Sequence, residues 1–168
     1  MGASSTIMKR AAGIRLALFD IDGVLTDGRL YIGENGIELR SSNVKDGHGL
    51  KLLVQGGITT GVISGRPAGA MRDRLKALGM THAYFEVEDK VTVFETLISR
   101  LDIEPEQVAF MGDDTPDLPL LRRCGLALTV ADAHPEVLAE AHWISTRDGG
   151  MGAVREACDL ILSAQAAT

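Results

Sequence analysis

The sequence predicts an α/β fold, a mainly parallel sheet with helices on both faces, and three features carry that prediction. Short apolar runs of strand length alternate with amphipathic segments of about ten to thirteen residues. Glycine and proline punctuate the boundaries, as helix starts and stops require. The polar residues with chemical potential fall just after the apolar runs, where an open parallel sheet binds its ligands.

The elements follow in order. Residues 1–12 read as a polar tail and residues 13–168 as one domain, since a chain of 168 residues is long enough for one core and short for two. "IRLALFD" is a buried-type strand, and "RLYIGENGIELR" is two alternating strands around a Gly-Glu-Asn-Gly turn, a hairpin after the first core strand. "HGLKLLVQGG" has helical spacing and a glycine stop; "ITTGVIS" is a strand ending at Ser64. "PAGAMRDRLKALG" opens on a proline suited to a first helical position and closes at Gly79. "HAYFEV", "QVAFMGD", "LALTV" and "HWIS" are further strands, separated by the helices "KVTVFETLISRLD", "PDLPLLRRCG" and "HPEVLAEA". "GAVREACDLILSA" is the last helix. Strand, helix and strand in succession imply right-handed crossovers, hence parallel neighbours.

Composition narrows the function. The formal charge of −6 offers no basic excess for counterion release, so nucleic acid and acidic membrane are not expected partners. No apolar stretch reaches the roughly 20 residues of a spanning helix. The first ten residues lack the apolar segment of a signal peptide, so a cytoplasmic location is expected. Cys124 and Cys158 lie far apart without a metal-binding spacing and read as buried thiols.

The strand ends gather a specific set. Asp20 and Asp22 follow the first core strand, Ser64 and Arg66 the second, Lys90 the third, and Asp113, Asp114 and Asp117 the fourth. Lys90 sits in the first turn of its helix behind Asp89 as N-cap, against the helix dipole by about 0.3–1 kcal/mol, which calls for an anionic partner. Clustered carboxylates repel one another and raise their own pKa values unless a cation intervenes. An all-oxygen set with no histidine or cysteine favours a hard divalent ion, magnesium before zinc. Carboxylates, a hydroxyl, a lysine and such a cation together make a phosphoryl-transfer site.

In this ordered set the chain resembles the haloacid dehalogenase-like phosphatases, through "DIDGVLTD", the Ser64 of "ISGR", Lys90 and "GDDTPD". The resemblance implies Asp20 as nucleophile and Asp22 as general acid, then base. It implies Ser64 and Lys90 on the phosphoryl oxygens, and magnesium held by Asp20, the Asp22 carbonyl and Asp113. Asp117 would orient Lys90, and Asp114 would be a ligand or stand behind one. "DGVLTDG", "NVKDGHG", "MGDDTPDLPLL" and "GGMGAVRE" bring the likeness closer to the capless branch that hydrolyses 3-deoxy-D-manno-octulosonate 8-phosphate in lipopolysaccharide sugar synthesis. That likeness implies a three-layer Rossmann-like fold without a cap domain. It also implies substrate contacts at Asp22, Asn43, Val44, Lys45, Asp46, Gly47, Lys51, Arg66 and Arg74. The branch more often has arginine where Lys45 and Lys51 stand, and lysine lacks the bidentate fork.

Some positions keep two readings. Asp27-Gly28 fits a turn as well as a site, and Arg74, beside Arg72 and Lys76, fits a solvated face as well as a carboxylate clamp. "GGMGAV" fits a flexible start to the last helix or a close approach to a ligand or neighbour. A phosphatase of a nine-carbon sialic-acid-type phosphate is the rival within enzymes; outside them stand a receiver domain and an inactive phosphatase-like subunit. Motif order argues against the receiver, and intact Asp20, Asp22, Lys90 and Asp113 argue against lost activity. With gaps too short for a cap, the site of a monomer would face water. Leu30, Ile32, Ile37 and Leu39 would give the hairpin an apolar face, through which a homotetramer is expected.

Overall fold

The computed structural model describes residues 4–167, and its first element departs from the expected polar tail. Helix α1 (Ser5–Ala12) is capped by Ser4, whose Oγ accepts from Ile7 N, and Ala11 is fully buried. Ile7, Met8 and Ala12 complete a helical stripe packed against the core. The polar residues between them masked that stripe; residues 1–3 lie outside the described residues.

The chain continues through β1 (Leu16–Phe19), β2 (Tyr31–Ile32), β3 (Glu38–Leu39), α2 (Val44–Gln55), β4 (Thr59–Ile63), α3 (Met71–Ala77) and β5 (His82–Tyr84). Then come α4 (Lys90–Leu101), β6 (Val108–Met111), α5 (Leu118–Leu121), β7 (Leu126–Thr129), α6 (Pro135–Glu140), β8 (Trp143–Ile144) and α7 (Ala153–Ala166). The expected α/β architecture is present: six parallel strands in the order β5-β4-β1-β6-β7-β8. Helices α1, α2 and α7 pack together on one face, and α4, α5 and α6 on the other. Strands β1, β6 and β7 are buried along their whole length, as strands covered on both sides must be.

Local chemistry moves some boundaries. Helix α2 begins at Val44 rather than His48, because the Asn43 side chain accepts from Lys45 N at 2.8 Å and caps it there. Helix α3 begins at Met71 rather than at Pro67, since Gly69, at φ 51, breaks the run.

The strand order makes β1 the switch point. From β1 the chain steps to β4 and β5 on one side, then α4 carries it over to β6, β7 and β8 on the other. Phe19 pairs in register with both Val62 and Met111, so Asp20, Ser64 and Asp113, one or two residues beyond, emerge at one level of the sheet edge. Ligands bind outside the carboxyl ends of strands at such a point. Among the described residues no separate cap covers it.

The hairpin departs from its expected facing. Tyr31 pairs with Leu39, Ile32 with Glu38, and Gly33 N bonds Ile37 O, so Tyr31, Ile37 and Leu39 share the outer face. Ile32 lies on the opposite face with Glu38, so Leu30, Ile32, Ile37 and Leu39 do not form one surface. Tyr31, Ile37 and Leu39 are 54–62% exposed.

Candidate active site

Strand β1 ends by delivering Asp20, whose N–H bonds Met111 O at 2.9 Å and whose side chain is buried. The chain then turns sharply: the N–H groups of Val24, Leu25 and Thr26 all donate to Ile21 O. Buried Thr26 accepts from Gly23 N and Gly28 N, each at 3.2 Å, and Asp27 Oδ1 accepts from Arg29 N at 3.1 Å. The turn is therefore Thr26's work, and Asp27 has the structural role of an Asx turn. Gly23, at φ 92, is irreplaceable on two counts: a Cβ there would lie 2.0 Å from Asp113 Oδ2.

Lys90 provides the centre of charge. Asp89 caps α4 by accepting from Val91 N and Thr92 N, leaving Lys90 to reach back over the sheet edge. Its Nζ donates to Asp20 Oδ1 at 2.9 Å and to Asp117 Oδ1 at 2.7 Å, and all three side chains are buried. Burial pulls the ammonium pKa down, but the two carboxylates outweigh it and leave Lys90 above its ordinary value. The anionic partner demanded by its place in the helix is thus present twice.

Asp117 uses its other oxygen to accept from Asp113 N at 3.0 Å and Asp114 N at 3.4 Å, so it positions both Lys90 and the loop. Exposed Asp114 is engaged by Thr115 N at 2.7 Å as the cap of the short helix Thr115–Asp117. Ser64 is buried, with its N–H on Tyr84 O and its Oγ accepting from Arg66 N at 3.2 Å.

Electrostatics mark a cation site. Burial first, then the charges of Asp20, Asp117 and Asp114, push Asp113 up to about 8. Burial and Asp117 push Asp20 up to about 6 against the lowering effect of Lys90. Asp113 Oδ1 is buried with no hydrogen-bond partner among the described residues. Oxygens of Asp20, Asp113 and Asp117 lie within 4.8 Å of one another. Two raised carboxyls, an orphaned oxygen and an all-oxygen donor set fit a hard divalent ion. Both Asp117 oxygens are engaged, which leaves Asp20 and Asp113 as the side chains free to ligate.

The Asp22 carboxylate is outside that cluster. It turns toward Arg40 at 3.4 Å and Arg66 at 3.9 Å, and its Oδ1 has no hydrogen-bond partner among the described residues. Asp20, Asp22, Ser64, Arg66, Lys90, Asp113, Asp114 and Asp117 line one cavity of about 200 Å³. Beside it a groove of about 470 Å³ runs between the hairpin and α3, lined by Leu39, Pro67, Ala68 and Met71 and by Arg40, Arg66 and Arg74.

The "NVKDG" stretch is placed elsewhere. Asp46, expected at the substrate, is 1% exposed and accepts from Gly152 N and Arg155 N at the start of α7. Burial raises its pKa and those two bonds oppose the rise. Asn43, besides capping α2, donates to Gly150 O at 3.0 Å. Gly47 is buried, and a Cβ there would meet Arg74 Nη2 at 2.7 Å, so it lets α3 approach α2. The contacts of these three positions are thus made within the fold, and none of the three lines either cavity. Val44, Lys45 and Lys51 are exposed or largely so and line neither cavity. "GGMG" resolves in the same way. A Cβ on Gly149 would meet Gly23 O at 1.8 Å, and Gly150 N bonds Val24 O, so the glycines buttress the Asp22 turn.

The sequence reading missed Glu38 and Arg40. Their signal was the alternation of charge at 38 and 40 with apolar residues at 37 and 39, which puts charge on the inner face.

Comparison with known proteins finds relatives over nearly the whole chain. The family model described as haloacid dehalogenase-like hydrolase matches residues 84–154. The 3-deoxy-D-manno-octulosonate 8-phosphate phosphatase KdsC of Yersinia pestis is 46% identical over 95% of this chain and 85% of its own length. Its namesake from Escherichia coli K12 is 44% identical over 96% and 86%. Among solved structures, a probable YrbI family phosphatase from Pseudomonas syringae superposes with a TM-score of 0.95 at 49% identity, covering 96% of this chain and 92% of that one. The 3-deoxy-D-manno-octulosonate 8-phosphate phosphatase of Moraxella catarrhalis, in complex with magnesium, phosphate and KDO, gives 0.93 at 39% identity, covering 95% and 92%.

Proposed function

Since the chain belongs to the haloacid dehalogenase-like hydrolases, we propose that it is a magnesium-dependent phosphomonoesterase hydrolysing 3-deoxy-D-manno-octulosonate 8-phosphate to the free sugar acid and phosphate. The observation that carries the reading is the Asp20–Lys90–Asp117 chain at 2.9 and 2.7 Å beside the orphaned Asp113 oxygen. It combines a nucleophile, a cation for the phosphoryl oxygens and a metal ligand at one strand edge.

Asp20 attacks phosphorus as the ester oxygen departs, and Asp22 gives that oxygen its proton. The aspartyl-phosphate so formed is opened by water, whose proton Asp22 takes, and phosphate leaves as Asp20 is regenerated. Ser64 and Lys90 bind phosphoryl oxygens; Asp20, Asp113 and the Asp22 carbonyl would hold magnesium, with Asp114 and Asp117 behind them. Magnesium supplies charge neutralisation of the phosphoryl oxygens. The three arginines of the adjoining groove suit the carboxylate of a keto-acid sugar, so Arg66 and Arg74 are assigned to it.

The exposed outer face of the hairpin supports assembly into a homotetramer, in which Val44, Lys45 and Lys51 would work toward a neighbour's site. Two free, buried cysteines suit a reducing compartment and a cytoplasmic location. No helix among the described residues is long and apolar enough to cross a membrane.

Asp20→Asn tests the mechanism: it should abolish phosphate release while the protein stays folded. Retained magnesium-dependent turnover by the purified variant would refute it. Light scattering after size exclusion tests the assembly, and a clean monomer would sink it.

A further inference from the structure

The hairpin does more than carry an apolar face. It brings Glu38 and Arg40 to the groove beside the cavity, where with Asp22 and Arg66 they form a ring of alternating charge. Arg40 lies 3.4 Å from Asp22 and 2.8 Å from Glu38; Glu38 lies 3.0 Å from Arg66, and Arg66 3.9 Å from Asp22. The Arg40 side chain is 10% exposed. It donates to Glu38 through both Nε and Nη2, and Nη2 reaches Pro67 O at 3.0 Å.

Such a ring has a cost that ordinary surface pairs do not. A nearly buried guanidinium must satisfy its donors, and here they go to three separate segments: the turn after β1, strand β3 and the loop after β4. The ring therefore fixes the relative position of those segments. Within the ring Asp22 Oδ1 and Arg66 Nε are held by ion pairing alone, with no hydrogen bond among the described residues, on the two residues that meet the departing oxygen and the substrate.

We propose that Arg40 and Glu38 are positioning residues. Arg40 holds the Asp22 carboxylate at the angle from which it protonates the leaving oxygen, and Glu38 holds Arg40 and presents Arg66. This rests on the phosphomonoesterase reading, in which Asp22 is the acid. The hairpin, otherwise an assembly element, thereby becomes part of the acid's scaffold within its own subunit.

Ester chemistry separates positioning from general damage. A sugar alkoxide needs a proton as it leaves, whereas p-nitrophenolate leaves almost unaided; kcat/KM reports the step in which that bond breaks. The experiment measures kcat/KM with magnesium for wild type, Arg40→Ala, Arg40→Lys and Glu38→Gln. Each is assayed on 3-deoxy-D-manno-octulosonate 8-phosphate, glycerol phosphate and p-nitrophenyl phosphate, with melting curves alongside. A positioned acid is worth about 10²-fold or more. Arg40→Ala should therefore lose about 10-fold or more on the alkyl esters and under about 3-fold on the nitrophenyl ester. Arg40→Lys should regain part of the loss. Glu38→Gln should raise KM for the sugar-acid phosphate more than it lowers kcat.

Equal losses on all esters, or none, overturn the proposal, and so does an unfolded Arg40→Ala accompanied by a folded Arg40→Lys and Glu38→Gln with wild-type constants. A wild type that cleaves glycerol phosphate but not the sugar-acid phosphate overturns the substrate reading instead. In that case the ring is judged on the remaining ester pair.

Discussion

Without a divalent ion the protein should lose stability as pH rises from about 5 to 8, the reverse of what salt-bridged carboxylates produce. Asp113 titrates near about 8 in the fold against an ordinary 3.8, chiefly through burial and then the charge of Asp20. Its folded pKa lies above its unfolded one, so between those values the native state binds the proton that the unfolded chain has released. Stability therefore falls as pH climbs through that window. At about 1.4 kcal/mol per unit, a four-unit shift sets a ceiling near about 6 kcal/mol. Asp20 titrates in the same cluster and water reaches the cleft, so a net loss of about 2–3 kcal/mol is the working figure. For a domain of this size that is roughly 4–12 °C in melting temperature. His82 and His142, held below their ordinary value chiefly by burial, push the other way through about pH 6.5. The assay is calorimetry in EDTA across this range on wild type and Asp113→Asn, repeated with saturating magnesium. The variant and the magnesium-loaded protein should lose most of the downward slope above about pH 6, leaving the part that Asp20 in the variant and Asp46 in both contribute below it. A wild-type melting point in EDTA that is flat or rising, and indifferent to Asp113→Asn, would refute the reasoning.

Other outcomes follow from single contacts. Gly23→Ala introduces a Cβ 2.0 Å from Asp113 Oδ2 at a left-handed φ; turnover should fall about 10²-fold and magnesium binding by calorimetry should weaken. Wild-type magnesium affinity in that variant would contradict the packing. Asp46→Ala removes the acceptor of the buried Gly152 N–H and the half-buried Arg155 N–H, which should cost about 1–3 kcal/mol in denaturant unfolding. At temperatures well below melting its KM should match wild type; a large KM rise at unchanged stability would restore Asp46 to the substrate. Ile37→Glu, on the exposed outer face, should convert the proposed tetramer to monomer in light scattering, and an unchanged mass would place the interface elsewhere.

The parallel sheet was legible because its strands are buried apolar runs and its helices carry clear stops such as Gly79. Asp20, Ser64, Lys90 and Asp113 were legible because strand register fixes where strand ends emerge, and register follows from those runs. What failed to show was tertiary. Asp46 sits in a stretch that looks ligand-rich, but its fate was decided by α7, more than a hundred residues away. The face of the hairpin depended on pairing Tyr31 with Leu39, which a one-residue slip would invert. Glu38 and Arg40 were overlooked because a charged pair in a short strand normally faces solvent. Here Arg40 turns to Asp22 and Glu38 to Arg66, although Ile32, on the same face as Glu38, is itself exposed.

The central claim is tested most directly by phosphate release from a panel of esters with magnesium present. The panel sets the eight-carbon keto-acid sugar phosphate beside the nine-carbon sialic-acid-type phosphate and simple hexose phosphates. The highest kcat/KM should fall on the eight-carbon ester, with hexose phosphates lower by about 10²-fold for want of a carboxylate to meet Arg66 and Arg74. Hexose phosphates turned over as well or better would contradict the account.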